Sequence, residues 1–364
     1  MNHTNNIRKN KTLFIIALTL LPLSLLAFFL FSGATLTPNP HNHVDFSRVI
    51  RDNVAPNTRV VDIAMLGAHN AFTHQINTRS AVAPYNTNPF VNTTTSRIAP
   101  GLISRLMLAQ KSCVSGLLMY GVRYFDVRIT PYNGGWYTHH NLISAPLEAY
   151  LTDIIDFLYA NPGELIVFDI QHAQLGGRLY SELWEFIADV RSNGLSLFDF
   201  VNFDPFNTLL GELTLGQATR YGAAVIILAK TPALPSLFHY EYYTSIRSHW
   251  HNRIRTAEML EDIQGEYDFL SQHFNNFANM FRVNQAQTTP VFSGARNVAA
   301  TLRGWSLLRH NARHNVELLH HEDFANWLYV MPIFMVDFAD SPVGGFHAGV
   351  MEIINAHNAK GSEI

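Results

Sequence analysis

The sequence predicts an α/β protein with a TIM-type (βα) barrel, in a single domain that follows an N-terminal hydrophobic segment. Short apolar runs alternate with amphipathic stretches along most of the chain, which is the order of strands and helices in a parallel sheet. The chain has 364 residues, of which 48% are hydrophobic and 15% charged, so it can bury one large core. The alternation alone leaves a doubly wound sheet as the alternative architecture.

Five apolar runs are predicted to be buried parallel strands, because strands covered on both faces are nearly continuous in apolar residues. These runs lie at residues 60–66, 122–129, 165–170, 223–228 and 328–336. Helices are predicted where apolar residues recur every three or four positions. These lie at residues 146–159, 181–190, 256–263 and 346–357. The Asn-, Thr- and Pro-rich stretch 78–96 is predicted to be a long inserted loop near the functional site.

The N-terminus has the pattern of an export signal. A basic stretch at residues 8–11 precedes an apolar run at 13–31, which is roughly long enough to span a membrane. The small residues at 32–34 offer a cleavage site before Thr35. A cleaved signal peptide and an uncleaved anchor both stay open. In either case we expect the remaining chain to be exported, whether secreted, periplasmic or anchored by this segment.

We therefore divide the chain into three parts. Residues 1–34 are the signal peptide or anchor, residues 35–54 are a Pro- and Asn-containing linker, and residues 55–364 are the barrel. The net charge of −3 and the pI near 6.6 give no sign of nucleic-acid binding. Cys113 is the single cysteine, which excludes an intrachain disulfide and a cysteine-built zinc site.

Polar residues follow several of the predicted strands, where catalytic groups of a βα barrel lie. They are His69 and Asn70, Asp126 and Arg128, His139 and His140, Asp169 to His172, and Asp337. Two histidines with a carboxylate and an arginine are a set that can cleave a phosphodiester without a cofactor. One imidazole takes a proton from a nucleophile, the other protonates the leaving oxygen, and the guanidinium binds the phosphate.

Six stretches carry a specific resemblance. They are GAHN at 67–70, GVRYFDVR at 121–128, THHN at 138–141, NPGELIVFDIQH at 161–172, QAQTTP at 285–290 and VDF at 336–338. In these motifs and their order the chain resembles the X-domain family of phosphatidylinositol-specific phospholipases C, and its motifs are closest to the bacterial metal-independent type. The resemblance covers roughly residues 55–360. It implies a phospholipid or other inositol phosphodiester as substrate, a membrane surface as partner and a monomer.

The resemblance also implies roles for five residues. His69 is the general base for the inositol 2-hydroxyl, and His140 is the general acid for the leaving glycerol oxygen. Arg128 neutralises the charged phosphorane. Asp126 orients the acid and the guanidinium, and Asp337 holds the base imidazole in its tautomer. The products would be a cyclic inositol phosphate and diacylglycerol, and a partly open or incomplete barrel would admit such a lipid.

Four further residues are candidates for substrate binding: Asn70, Gln171, Asp169 and Lys230. Asn70 and Gln171 depart from the bacterial enzymes, which have an aspartate and a lysine there. The calcium-dependent branch of the family has carboxylates where this chain has Arg128 and Gln171. An arginine would repel a divalent ion, so we expect no metal and no cofactor, with calcium the less favoured alternative.

Other interpretations stay open. A glycerophosphodiester phosphodiesterase would use the same barrel with a metal, and a catalytically inactive barrel would serve as a binding module. His139 is either a packed neighbour of His140 or the acid itself. Arg123 is expected to be a salt-bridge partner beneath the rim. The aromatic residues at 238–243 are either a lipid-contacting lip or ordinary packing.

Overall fold

A computed structural model describes residues 45–230, 238–304 and 306–360, together with Ser24, Ala27, Phe28, Leu30, Phe31 and Ser32. Eight strands form one curled parallel sheet in the order β7-β6-β5-β2-β1-β10-β9-β8, and a further two strands, β3 and β4, branch from β2. The strands are β1 (Met65–Ala68), β2 (Val122–Tyr132), β3 (Gly135–His140), β4 (Leu142–Pro146), β5 (Leu165–Ala173), β6 (Ala224–Ala229), β7 (Tyr240–Glu241), β8 (Ile246–His249), β9 (Phe281–Gln285) and β10 (Ile333–Val336).

Helices cover the outer face of this sheet. They are α1 (Val49–Asn53), α2 (Thr93–Ile98), α3 (Pro100–Met107), α4 (Val114–Met119), α5 (Leu147–Ala160), α6 (Tyr180–Asp189), α7 (Leu215–Ala218), α8 (Tyr242–Ser245), α9 (Thr256–Gln272), α10 (Phe274–Phe277), α11 (Ala295–Gly304), α12 (Leu307–Leu319), α13 (Phe324–Val330) and α14 (Phe346–Lys360). The four predicted helices are α5, α6, α9 and α14, of which α9 extends nine residues beyond its predicted end at residue 263.

The barrel is open between β7 and β8, which confirms the predicted partly open architecture. Strand β7 pairs with β6, and β8 pairs with β9, so these two strands are the edges of the sheet. The short helix α8 connects one edge directly to the other. The central strands β1, β6 and β10 are buried at every position, as parallel strands covered on both faces are.

Two predicted strands begin later in the structure than in the sequence pattern. Residues 60–62 form a 3-10 turn, and strand β1 follows at Met65. The first part of the predicted strand 328–336 is the end of helix α13, and β10 starts at Ile333. In both cases a continuous apolar run was assigned to one element, because a buried helix turn and a buried strand have the same apolar character.

A hairpin extends from β2 and places a histidine on the rim. Strands β2 and β3 pair antiparallel, with Tyr132 opposite Gly135. The two residues between them, Asn133 and Gly134, have φ of 48° and 83°. Positive φ at both positions defines a type I′ turn, for which Asn-Gly is the preferred sequence. The hairpin therefore carries His140, the last residue of β3, back toward the ends of the parallel strands.

The base of the barrel is held by a buried ion pair. Nε of Arg123 lies 2.6 Å from Oε2 of Glu164, and both side chains are fully buried. The same carboxylate accepts backbone N–H groups of Ile50 at 3.4 Å and Arg51 at 2.9 Å. Helix α1, which lies within the stretch predicted as a linker, is thereby fixed to the barrel, and the predicted salt-bridge role of Arg123 is confirmed.

The predicted signal segment at 1–34 lies almost entirely outside the described residues, as does the whole stretch 35–44. Among the described residues, no helix is both long enough and apolar enough to cross a membrane. The three-part division of the chain therefore stays a prediction. The loop predicted at 78–96 does lie beside the hairpin, since Ala83 donates its backbone N–H to the carbonyl of Asn141 at 2.8 Å.

Candidate active site

The ends of β1, β2 and β10 bring the predicted catalytic residues together. His69 and Asn70 directly follow β1, Asp337 directly follows β10, and Asp126 and Arg128 lie in β2. Asn70 has φ of 43°, a left-handed conformation that asparagine tolerates better than most residues. Its backbone N–H donates to Oδ2 of Asp126 at 3.0 Å, which fixes the turn after β1 against β2.

The contacts of His69 determine which ring nitrogen carries the proton. Nδ1 lies 2.7 Å from Oδ1 of Asp337. Nε2 lies 3.0 Å from Nδ2 of Asn70 and 3.4 Å from Nη2 of Arg128. Because amide and guanidinium nitrogens only donate, Nε2 is the acceptor and the ring proton lies on Nδ1, facing Asp337. Nε2 is therefore the nitrogen that is able to take a proton from a substrate.

The surroundings of His69 keep it neutral. Burial lowers its pKa from 6.5 to about 3; Asp126 opposes this change, and Arg128 adds to it. Burial also raises the pKa of Asp337 well above its usual range, and Asp126 raises it further. Both changes disfavour an imidazolium–carboxylate ion pair, and the donors around Nε2 place the ring proton on Nδ1, facing Oδ1 of Asp337. A neutral imidazole with an unprotonated Nε2 is the form that a general base requires.

Asp337 is itself held from helix α12. Asn311 donates from Nδ2 to Oδ2 of Asp337 at 3.1 Å, and Asn315 donates to its backbone oxygen at 2.9 Å. These two asparagines lie one helical turn apart on the same buried face of α12. Asp337 is therefore fixed by three polar groups, two at its carboxylate and one at its backbone oxygen, of which the sequence motifs indicated only the histidine.

Arg128 lies beside the base with part of its donor capacity unused. Its Nη2 donates to Oε1 of Gln171 at 3.3 Å and lies 3.8 Å from Oδ2 of Asp126. Its Nε is buried and has no hydrogen-bond partner among the described residues. A fixed guanidinium with a free N–H at the rim of the barrel suits an anionic oxygen such as that of a phosphate.

His140 faces the base across the site. The ring centroids of His140 and His69 are 6.0 Å apart, with an interplanar angle of 74°. Nδ1 of His140 lies 2.8 Å from the backbone oxygen of Met107, so Nδ1 carries a proton and Nε2 is left for a substrate. Burial lowers the pKa of His140 well below 6.5, and Arg128 and His69 lower it further. The ring is therefore neutral in the free protein.

The position of Asp126 differs from its expected role. Asp126 was expected to orient both the acid and the guanidinium. The structure places Oδ2 of Asp126 3.7 Å from Nε2 of His69 and within 3.8 Å of Arg128. The orienting contact of His140 comes instead from the carbonyl of Met107, at the end of α3. A backbone carbonyl carries no residue-type signal, so the sequence could not indicate it.

A second carboxylate lies on the floor of the site. Asp169 is paired in register with Asp126 across β2 and β5, and it accepts a hydrogen bond from the hydroxyl of Tyr124. Burial raises the pKa of Asp169 well above its usual range, and Asp126 raises it further. Oδ1 of each carboxylate has no hydrogen-bond partner in the described part of the chain. Both carboxylates therefore keep an unpaired acceptor oxygen beneath the catalytic residues.

Lys230 and Gln171 line the same side of the site. Nζ of Lys230 lies 5.5 Å from the ring centroid of Tyr242 and 5.7 Å from that of Tyr243, which is cation–π geometry. Its charge acts on Asp169 and partly opposes the rise in the pKa of that carboxylate. Tyr242, which is buried, shares a hydrogen bond with Gln171. The structure thus brings together all four candidates for substrate binding with the catalytic set.

Gln110 is a further polar residue that the motifs did not indicate. Its Nε2 donates to the backbone oxygens of His69 at 2.9 Å and Val336 at 3.0 Å. Its Oε1 accepts from the N–H of Ala339 at 3.2 Å. Gln110 therefore links the end of β1 to the end of β10, the two strands that are followed by His69 and Asp337.

In residues 45–230, 238–304 and 306–360, no group of three or more His, Cys, Asp or Glu side chains is arranged to hold a metal ion.

The chain has curated relatives over part of its length, although no protein-family model matches it. It is 36% identical over 121 residues to the variant-surface-glycoprotein phospholipase C of Trypanosoma brucei brucei, which is 30% of this chain and 34% of that protein. It is 26% identical over 151 residues to the PI-PLC X domain-containing protein 2 of Mus musculus, which is 38% of this chain and 44% of that protein. The matched part thus spans less than half of either relative.

Solved structures extend the likeness to most of the fold. The phosphatidylinositol-specific phospholipase C of Listeria monocytogenes aligns with 86% of this chain and 99% of its own, with a TM-score of 0.56 and 17% identity. The Staphylococcus aureus enzyme aligns with 86% of this chain and 96% of its own, with a TM-score of 0.58 and 14% identity. In motifs and in fold, the chain resembles the phosphatidylinositol-specific phospholipase C X-domain family.

Proposed function

We propose that this protein is a phosphodiesterase of the phosphatidylinositol-specific phospholipase C type. The observation that carries the proposal is the pair of facing histidines at the barrel rim, His69 and His140, with the guanidinium of Arg128 beside them. In each ring Nδ1 faces a protein acceptor. Nε2 of His140 is left for a substrate, and the unprotonated Nε2 of His69 lies at the donors of Asn70 and Arg128, where a substrate hydroxyl would replace them. The relatives named as phospholipases C support the same reaction class.

The reaction follows from this arrangement. Nε2 of His69 takes the proton of the inositol 2-hydroxyl, and that oxygen forms a bond to the neighbouring phosphorus. The bond from phosphorus to the glycerol oxygen breaks, and Nε2–H of His140 gives its proton to that oxygen. Cyclic inositol phosphate and diacylglycerol are the products. Arg128 stabilises the negative charge that builds up on the phosphoryl oxygens, and Asp337 stabilises the imidazolium form of His69.

His140 must gain a proton before it can act as the acid. In the free protein its pKa is lowered by burial, by Arg128 and by His69. An anionic phosphodiester bound to Arg128 offsets the guanidinium charge, so substrate binding raises the pKa of His140 again. The acid is therefore charged in the complex rather than in the free protein.

Substrate contacts and location form part of the same proposal. Asp169, Lys230, Gln171 and Asn70 bind the inositol hydroxyls and the phosphate, and the open barrel admits the lipid from a membrane surface. The reaction needs no metal, because Arg128 supplies the fixed positive charge. The chain is exported by its N-terminal segment, either cleaved or kept as an anchor, and it acts as a monomer.

The test uses the full chain on phosphatidylinositol vesicles, with phosphorus resonances followed in excess chelator. We expect a cyclic inositol phosphate signal that persists in chelator. His69→Ala and His140→Ala should each lower the rate by roughly a hundred- to ten-thousandfold, because each removes one proton-transfer group.

Three results would count against the proposal in different ways. Activity that appears only with added calcium would refute metal independence. Activity that survives in both histidine variants would refute the assigned base and acid. No reaction under any condition would favour the glycerophosphodiester or binding-module alternative, and turnover of glycerophosphoinositol or binding of vesicles would separate those two.

A further inference from the structure

His139 is a buried histidine that the protein leaves without hydrogen bonds. It lies in β3 and is 5% exposed. Neither of its ring nitrogens has a hydrogen-bond partner among the described residues. Burial lowers its pKa to about 3, and Arg128 and His172 lower it further, so the ring is neutral. A neutral imidazole has one donor and one acceptor, and leaving either unpaired in the interior costs free energy.

A buried histidine with a structural role looks different in this fold. His314 on α12 is fully buried, and burial lowers its pKa to about 4. Its Nδ1 lies 3.1 Å from Oγ1 of Thr256, and its Nε2 lies 2.6 Å from the backbone oxygen of Ala286. Both nitrogens of His314 are thus used by the protein. The two nitrogens of His139 are not, so packing alone does not account for a histidine there.

The unpaired nitrogens of His139 lie next to another unpaired donor. Strands β2 and β3 pair Ile129 with Thr138, and Arg128 and His139 are the residues directly next to this last pair of the ladder. The charge of Arg128 acts on His139 and lowers its pKa, as expected for neighbouring groups. Nε of Arg128 is also buried and has no partner in the described part of the chain. Two unused donors on adjoining strands call for one acceptor between them.

We propose that His139 is a third histidine of the phosphate site, whose neutral ring N–H donates to a non-bridging phosphoryl oxygen beside Nε–H of Arg128. The inference rests on the proposed function and deepens it, because it assigns a binding group that neither transfers a proton nor changes charge. A phosphoryl oxygen accepts two hydrogen bonds at once, so it satisfies both unused donors. The unpaired ring of His139 destabilises the free protein, and the hydrogen bond to the bound phosphate offsets that loss of stability.

The first test compares two matched variants in thermal unfolding. His139→Leu removes an unpaired polar ring, so we expect a Tm equal to or above that of the wild type. His314→Leu removes a fully paired ring and leaves two protein groups without partners, so its Tm should fall. Inorganic phosphate should raise the Tm of the wild type and of His314→Leu, but not that of His139→Leu. A phosphate response that is unchanged in His139→Leu would overturn the proposal.

The second test measures turnover. His139→Leu should lower kcat/KM for cyclic phosphate formation by roughly ten- to a hundredfold, which is the usual loss for one hydrogen bond to a charged group. His139→Asn keeps an N–H donor and should recover part of this loss. With phosphorothioate diastereomers of the substrate, His139→Leu should change the preference of the enzyme for one isomer over the other. A structural role would leave that preference unmoved, and an unchanged preference would refute the contact.

The two tests also separate this proposal from the proposed function. If the wild type makes no cyclic phosphate but its Tm rises with phosphate in a His139-dependent way, the phosphate contact stands and the reaction is wrong. If the wild type is active and His139→Leu matches it in rate, isomer preference and phosphate response, the reaction stands and the contact is wrong. If His139→Leu does not fold, the same comparisons are made with His139→Asn and with His139→Phe, which fills the site without a donor.

Discussion

His69, the proposed base, depends on one carboxylate for its tautomer. Asp337 accepts from Nδ1 of His69 at 2.7 Å, while the donors of Asn70 and Arg128 face Nε2. Together these contacts allow the ring proton of His69 on Nδ1 and not on Nε2. A side chain that offered a donor to Nδ1 would move the proton to Nε2 and remove the basic nitrogen from the site.

Asp337→Asn should therefore lower kcat by roughly a hundred- to ten-thousandfold with little change in the fold, because its amide can donate to Nδ1. Steady-state turnover of phosphatidylinositol vesicles measures this loss. Asn311→Ala is the control: it removes one hydrogen bond to Asp337 but keeps the carboxylate, so its loss should be smaller. A kcat for Asp337→Asn close to that of the wild type would contradict the tautomer argument.

The sequence indicated those site residues that follow strands and differ from their surroundings in polarity. His69 and Asp337 meet that condition, since they follow β1 and β10. Arg128 within β2 and His140 at the end of β3 stand out by their polarity alone. The groups that hold them were not indicated. The carbonyl of Met107 is common to every residue type, and Asn311 lies in a helix far along the chain from the strand it supports.

At the scale of elements, the buried pair of Arg123 and Glu164 joins helix α1 to strands β2 and β5. Arg123 also donates to the backbone oxygens of Leu118 and Val122 at 2.8 and 2.9 Å. The guanidinium is thus surrounded by acceptors in the interior, and of the residues that the structure describes only Glu164 balances its charge at contact distance. The pair lies at the starts of the strands, away from the catalytic rim, so we assign it to stability.

Glu164→Gln should lower the free energy of unfolding by about 3–5 kcal/mol, because it leaves a buried cation without its counter-charge. Urea unfolding measures this change. The exposed pair of Arg51 and Asp52 provides the control: Asp52→Asn should cost about 1 kcal/mol or less. Equal midpoints for the two variants would show that the buried pair does not hold α1 in place.

Element boundaries were predicted well where apolar residues recur at a clear helical spacing. The amphipathic pattern at 146–159 gave helix α5 within one residue at each end. Strand β9 had no separate prediction, since its sequence FRVNQ contains two apolar residues among polar ones, although all five positions are buried. Its polar side chains are used inside the barrel, where Gln285 donates to Ser248 at 2.7 Å. A strand with polar residues in the interior is therefore missed by a prediction that relies on apolar runs.

For the whole molecule, buried neutral histidines link stability to pH. Burial lowers the pKa of four of them to about 3 or 4: His69, His139, His239 and His314. Below pH 6.5 the unfolded chain binds protons at these positions and the folded chain does not. The free energy of unfolding therefore falls as the pH is lowered. Burial raises the pKa of Asp169, which takes up a proton in the folded state and partly opposes this loss.

We expect the free energy of unfolding to fall between pH 6.5 and pH 4. Each buried histidine contributes up to about 1.4 kcal/mol per pH unit in that range. Denaturant unfolding at a series of pH values measures how steeply the free energy of unfolding depends on pH. His239→Leu removes one of the contributing histidines and should make this dependence shallower. A stability that is flat or rises toward pH 4 would mean that the buried carboxyl groups outweigh the histidines.

The opening between β7 and β8 has a consequence for self-association. A closed barrel has no free strand edges, whereas an open one exposes unpaired backbone N–H and C=O groups that another chain can pair with, which leads to aggregation. Here the two edge strands are two and four residues long, at Tyr240–Glu241 and Ile246–His249. Such short edges offer few backbone groups to a neighbouring chain, so the barrel stays open without presenting a template for fibrils.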